Sequence, residues 1–405
     1  MNILAIESSC DETAASIISG DPFSLLSNSS HPQILSNIVV SQIDIFKAYG
    51  GVIPEVAARS HLEAILPVIH QAFEQAGFDK NDWSKIDAIA VTHTPGLLGS
   101  LLIGTLTART LAILHQKPLY AVHHLKSHIY ANWLEKEDLP SFPLLALVIS
   151  GGHTQIIYMR AHNDFKIIGT TLDDAVGECF DKIAKILGLP YPGGPSIAAA
   201  AAGKITLTNP TETTQQPQPT QPDTPQTTQI TPGNPNKYHL PIPKIKGLDF
   251  SFSGLKTAVL RAVQKEVGVP ISYPSHQLAE LLSSQQKADF AASFEKTAID
   301  ILLKKLEKAL TEYPDVKSVV IAGGVSANQR LRTEATNLFA TKSSSSVKSA
   351  PAATPSQPLS LHFPDLKFSG DNAAMVGAAA LYEIASDIEP TDPYSLNIFP
   401  RSDIN

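Results

Sequence analysis

The sequence predicts an α/β fold built twice, as two lobes around a central cleft, and three observations carry that expectation. The chain opens "ILAIESSCDETAASII", an apolar run, a polar turn and a second apolar run, which reads as a strand, a turn and a returning strand. Residues 144–158, "LLALVISGGHTQIIY", repeat the plan. Each half then holds a strand that passes through glycines into a helix, "IDAIAVTHTPGLLGSLLIGTLTARTLAILH" first and "SVVIAGGVSANQRLR" second. Such a unit presents backbone N–H groups and a positive helix end to an anion. A duplicated unit of this kind implies a lobe over 1–135 and a lobe over 136–405.

Two stretches interrupt the pattern. Residues 206–237 are mostly Thr, Gln and Pro, and 341–358 are rich in Ser, Ala and Pro. They have little apolar surface to offset the entropy of ordering, so both are expected to be mobile insertions. The apolar runs, such as "LLALVI", are far shorter than the ~18 residues of a membrane span. The start, "MNILAIESSC", enters a strand without a cationic segment, so no leader is expected and the protein is placed in the cytoplasm, away from membranes. The two cysteines, Cys10 and Cys179, have no Cys-x-x-Cys spacing, which excludes a zinc ribbon and a disulfide framework. A net charge of −7 gives no broad footprint for nucleic acid, so any such substrate meets local patches or a partner's surface.

The segment "AVHHLKSHIYANWL" places His124 and His128 four apart, on one face of a helix. Zinc proteases use that spacing with a glutamate inside it as general base, whereas here the interior is Leu125-Lys126-Ser127. His123 lies about 100° around the helix from His124 and is expected to face elsewhere.

Nine stretches in order then match one family: "ESSCDETA", "GGVIPEVAARSHLE", "THTPGLLGSLLIG", "HHLKSH", "VISGGHTQ", "DDAVGECFDKIAKILGLPYPGG", "FSFSGLKTAV", "GGVSANQRLR" and "SGDNAAMVG". The chain resembles the tRNA adenosine threonylcarbamoyltransferases, once labelled O-sialoglycoprotein endopeptidases. The match fails only in the two insertions. The resemblance implies the actin-like ATPase (ribonuclease H-like) fold, with a nucleotide in the central cleft. It implies transfer of a threonylcarbamoyl group from threonylcarbamoyl-AMP to the exocyclic amine of the adenosine beside the anticodon, in tRNAs reading codons that begin with A. It implies one divalent metal, iron(II) ahead of zinc, on His124, His128 and Asp371. It also implies donor or nucleotide contacts from Val148, Ile149, Ser150, Gly151, Gly152, Asp181, Gly194 and Asn328. Implied partners are tRNA, a non-catalytic actin-like paralogue and a small ATPase, with a separate synthase making the adenylate.

The residues carry plainer readings too. Asn328 is placed as a helix N-cap, Asp181 as a surface acid paired with Lys182 or Lys185, and His153 as a buried, satisfied histidine or a phosphate contact. Asp11, Glu12 and Lys256 are weaker cleft candidates, with Lys256 on a strand-to-loop segment. Two departures from the family stand out: Ala198 where many members carry Asp, and Ser369 where Cys is common. The competing activities are an ATPase or phosphotransferase of the same fold and a metalloprotease.

Overall fold

The computed structural model describes residues 1–27, 29–204, 230–345, 359–402 and 404. The first lobe runs β1 (Asn2–Glu7), β2 (Glu12–Ser19), α1 (Pro22–Leu26), β3 (Gln33–Ser41), α2 (Ile43–Lys47), α3 (Pro54–Gln75), β4 (Ala88–Thr94), α4 (Leu98–His115), β5 (Leu119–His123) and α5 (His124–Tyr130). The second runs β6 (Leu144–Ile149), β7 (Thr154–Ala161), β8 (Asp164–Thr170), α6 (Val176–Leu187), α7 (Gly193–Ala201), α8 (Ser253–Glu266) and α9 (Leu278–Leu281). It continues through α10 (Ser284–Glu312), β9 (Ser318–Ala322), α11 (Gln329–Ser345) and β10 (Ser360–His362), and the last helix, α12 (Ala373–Ala385), returns to the first sheet.

The two sheets share one topology. Their orders are β3-β2-β1-β4-β5 and, read the same way, β8-β7-β6-β9-β10. In each, an antiparallel meander of three strands meets two parallel ones. Both expected hairpins are present, β1 with β2 and β6 with β7. Strands β1 and β6 are central and buried on both faces, which is why they read as unbroken apolar runs.

Helices α5 and α12 form a layer between the sheets. One apolar core joins Ile3 and Ala5 of the first sheet, Leu144, Ala146 and Val148 of the second, and Leu125, Ile129, Met375 and Leu381 of these helices. The small residues of "AAMVGAAA" let α12 approach the first sheet closely: a Cβ on Gly377 would stand 2.6 Å from Ile18 Cγ1. Beyond α12 the chain stays on the first sheet, where Thr391 N–H donates to Leu119 O (2.7 Å) and Phe399 N–H to His93 O (3.2 Å). Helix α4 is long and apolar enough to cross a membrane by length and composition, but its Leu101, Gly104, Ala108 and Ala112 face is buried in the protein.

Of the first insertion, residues 206–229 lie outside the described residues, but 230–237 pack on α10 instead of forming mobile chain. Asp289, 4% exposed, accepts from Asn234 N–H (2.8 Å) and pairs with Lys237 Nζ (2.8 Å), and such a buried carboxylate requires those partners. Of the second, 346–358 lie outside the described residues, whereas 341–345 continue α11. Lys256 sits in a helix: Phe250 makes one bridge with Thr171, and α8 begins at Ser253, capped by Asp173 through the Phe252 and Ser253 N–H groups (2.7 and 3.2 Å).

Glu383 on α12 is buried, and burial pushes its carboxyl up to about 7 from 4.5 despite the opposing field of Lys126. Between those values the folded state holds a proton that the unfolded chain has released. Stability from this group is therefore full below about 4.5 and lost as pH rises through about 7. Glu383→Gln should gain up to about 3 kcal/mol relative to the parent between pH 4.5 and 7.5, read by urea unfolding across pH.

Candidate metal centre and nucleotide cleft

Helix α5 starts where β5 ends, and His123 makes that junction: its Nδ1 accepts from Leu125 N–H (3.2 Å) and its Nε2 lies 3.3 Å from Ser402 O. His123 thus caps the helix and takes no part in the cluster beside it. One turn apart on α5, His124 and His128 stand with ring centroids 4.6 Å apart. Asp371 arrives from the loop before α12, whose N-cap is Asn372. Its Oδ1 is 3.5 Å from His124 Nε2 and 3.1 Å from His128 Nε2.

This set fits a cation. Ligands bound at about 2.1 Å would stand roughly 3.0–3.4 Å from their neighbours, close to both spacings. His128 is fully buried; its Nδ1 has no hydrogen-bond partner, and its Nε2 has only the Asp371 carboxylate, at 3.1 Å. A buried imidazole nitrogen and a carboxylate oxygen at this spacing are a donor pair that a shared cation can hold. Without an ion the charges hold one another. Burial pulls the His124 imidazolium down, but Asp371 and Glu7 outweigh it and hold it up at about 9. Burial likewise pushes Asp371 up, and His124 and His128 bring it down to about 2. Two imidazoles and one carboxylate suit iron(II) or zinc and leave coordination positions open.

The β6–β7 turn borders this cluster. Val148 and Ile149 have fully buried side chains and lead into the turn as the last residues of β6. Gly151 and Gly152 border open space, since a Cβ on either would meet nothing within 4 Å. The turn is gripped from two sides: a Cβ on Gly177, in the first turn of α6, would stand 2.5 Å from Ser150 O, and one on Gly323 would stand 2.4 Å from Ile149 O. Ser150 N–H donates to His153 O (2.9 Å), closing the turn. Burial and the His124 and His128 charges hold the His153 imidazolium down at about 4, so this ring adjoins the cluster in its neutral form.

Opposite, α6 ends at Gly188 in the left-handed region (φ 66°) and α7 starts at Gly193. Asp181 accepts from Gly193 N–H (2.6 Å), while Lys182 pairs with Asp174 (2.6 Å) and Glu178 (3.0 Å) instead. Gly194 borders open space. Burial raises the Asp181 carboxyl, and the field of Asp11 adds to that. Asn328 caps α11 through Leu331 N–H (2.9 Å) and donates to Glu295 Oε1 (2.7 Å). Ser369 Oγ lies 3.3 Å from Arg332 Nη2, a structural contact beside the metal loop. His61 of α3 fixes the β1–β2 turn by contacts with Thr13 Oγ1 (2.8 Å) and Cys10 O (3.0 Å). Sequence reasoning missed His61, Glu295, Glu7 and Thr92, whose partners lie far along the chain.

A family model described as tRNA N6-adenosine threonylcarbamoyltransferase matches residues 33–378. A relative of that description from Symbiobacterium thermophilum is 42% identical, covering 94% of this chain and 91% of the relative. Another, from Bacillus subtilis, is 40% identical, covering 94% and 89%. Among solved structures, full-length HypF in its phosphate- and nucleotide-bound form aligns with a TM-score of 0.51 at 11% identity, over 96% of this chain and 47% of HypF. That likeness concerns the fold alone, and it agrees with two sheets of matching topology in the duplicated actin-like arrangement. With motifs, fold and near full-length relatives in agreement, the chain belongs to the tRNA N6-adenosine threonylcarbamoyltransferase family and is a transferase that modifies tRNA.

Proposed function

We propose that the donor is threonylcarbamoyl-AMP, that the acceptor is the adenosine beside the anticodon in tRNAs reading codons that begin with A, and that transfer requires one divalent metal on His124, His128 and Asp371. The observation that carries the metal is the convergence of the His124 and His128 Nε2 atoms on one Asp371 carboxylate oxygen, at 3.5 and 3.1 Å, with the His128 ring fully buried. Iron(II) is favoured and zinc is the alternative.

The adenosine amine attacks the carbamoyl carbon, its proton is lost to solvent, and AMP departs with the bonding pair. AMP is a good leaving group, so positioning and charge stabilisation carry most of the step. When bound, the ion supplies Lewis-acid polarisation or orientation of the threonylcarbamoyl group. The chain's own groups do the rest. Backbone N–H groups at Gly151 and Gly152 hold phosphate oxygens, because nothing shields that turn. Asp181 Oδ2, which takes no hydrogen bond among the described residues, accepts from a ribose hydroxyl beside open Gly194. Neutral His153 lines the phosphate side without adding charge.

The partners are proposed to be the non-catalytic paralogue and the small ATPase. Adjacent helices α3 and α4 expose Leu62, Leu66, Leu98, Leu102, Leu106 and Leu114, and this ridge supports seating the paralogue there. A cytoplasmic location accords with a tRNA substrate.

The test mixes the protein and these partners with threonylcarbamoyl-AMP and unmodified tRNA, followed by nucleoside mass spectrometry. Threonylcarbamoyladenosine should form, disappear after chelation and return with iron(II) or zinc. Product formation in fully chelated protein would remove the metal from the reading.

A further inference from the structure

The fully buried carboxylate of Glu7, at the end of β1, stands behind His124, on the side away from Asp371 and His128. Its Oε1 accepts from Ser9 N–H (2.5 Å), and its Oε2 accepts from Thr92 Oγ–H (2.6 Å) and lies 3.2 Å from His124 Nδ1. Ser9 Oγ also stands 3.2 Å from that nitrogen. A buried acid is retained at a cost unless it is well partnered, and these groups partner both oxygens. An ionised carboxylate only accepts, so the nitrogen facing it must carry the hydrogen. In the neutral imidazole that leaves Nε2, on the side of Asp371 and His128, as the bare lone pair.

We infer that Glu7 is a positioning residue for the metal centre: clamped by Thr92 and Ser9, it fixes His124 as the Nδ1–H tautomer and aims Nε2 at the ion. The inference rests on the metal reading of His124, His128 and Asp371. Carboxylates behind ligating histidines typically contribute 10- to 100-fold in metal affinity. Here the arrangement is uneven. His124 has its carboxylate, whereas His128 Nδ1 has no partner, so orientation of the pair rests on Glu7. Thr92 reaches across from the neighbouring parallel strand β4, which ties the clamp to the sheet and not to a loop.

The test uses the full chain, stripped of metal, and Zn²⁺ as the probe. Affinity is read by competition with a chromophoric chelator for the parent, Glu7→Gln, Thr92→Val and His128→Ala. Histidine tautomers are read in the Zn²⁺-loaded chain, where His124 is neutral, by two-bond ¹H–¹⁵N correlations. Glu7→Gln should fold, bind Zn²⁺ about 10- to 100-fold more weakly and lose the pure Nδ1–H signature of His124. Thr92→Val should weaken binding in the same direction by less. Glu7→Gln binding within twofold of the parent, with the His124 tautomer unchanged, would overturn the role of Glu7. If Glu7→Gln does not fold, Thr92→Val decides, and parent-like affinity there overturns it. A parent that binds Zn²⁺ no better than His128→Ala overturns the metal reading itself, which is a different result from parent binding that survives Glu7→Gln.

Discussion

Replacing His128 by alanine should abolish threonylcarbamoyl transfer while the protein remains folded. The ring supplies one of two imidazoles, and Asp371 then faces His124 alone, at 3.5 Å. Loss of a site worth several kcal/mol in the transition state lowers the rate by at least about 10³-fold. Stability should move little for a buried side chain. The substitution costs packing around the ring and the contact with Asp371, but it also removes a buried Nδ1 without a hydrogen bond and relieves the desolvation of the ring. These contributions oppose, so the metal-free variant should unfold within about 2 kcal/mol of the metal-free parent. The measurement pairs nucleoside mass spectrometry with urea unfolding. Undiminished transfer by metal-free His128→Ala would end the metal hypothesis.

The second large effect is expected at Gly323→Ala. Gly323 has φ 90° and ψ 167°, a region that residues with a side chain avoid. An added methyl would also stand 2.4 Å from Ile149 O, a backbone atom held in β6 beside β9. Strain and overpacking of about 1–3 kcal/mol each give a loss of roughly 2–6 kcal/mol. The same clash pushes on the turn that holds Gly151 and Gly152, so donor binding should fall together with stability. Gly324→Ala is the control, because a methyl there meets nothing within 4 Å. Equal stability of the two variants in urea would refute this account of the turn.

Much of this architecture could be read from the chain because it is local. Alternation, polar turns and glycines define both hairpins and both strand–glycine–helix units within short spans. Spacing also put His124 and His128 on one helical face. Asp371 came from family resemblance, since no pattern near residue 124 points so far downstream. Contacts between distant segments stayed hidden for the same reason. Composition alone described 230–237 as mobile, because the buried Asp289 that anchors it sits on another element. The placement of α12 on the first sheet and the clamp on His124 need three-dimensional neighbours. The N-cap reading of Asn328, by contrast, was available from a strand running through glycines into a helix.

Helix α12 also has a consequence for the order of events as the chain is made. The first sheet can pair its strands once β5 has emerged, but the face that α12 covers stays bare until residues 373–385 follow. At about 5–20 residues per second, the delay after α5 is on the order of ten seconds or more. Over that interval Ala5, Ala14 and Ile18 lack their helix, and His124 and His128 lack their carboxylate. A nascent first lobe is thus an apolar surface open to chaperones or to aggregation, and the three metal ligands can meet only after nearly the whole enzyme has been synthesised.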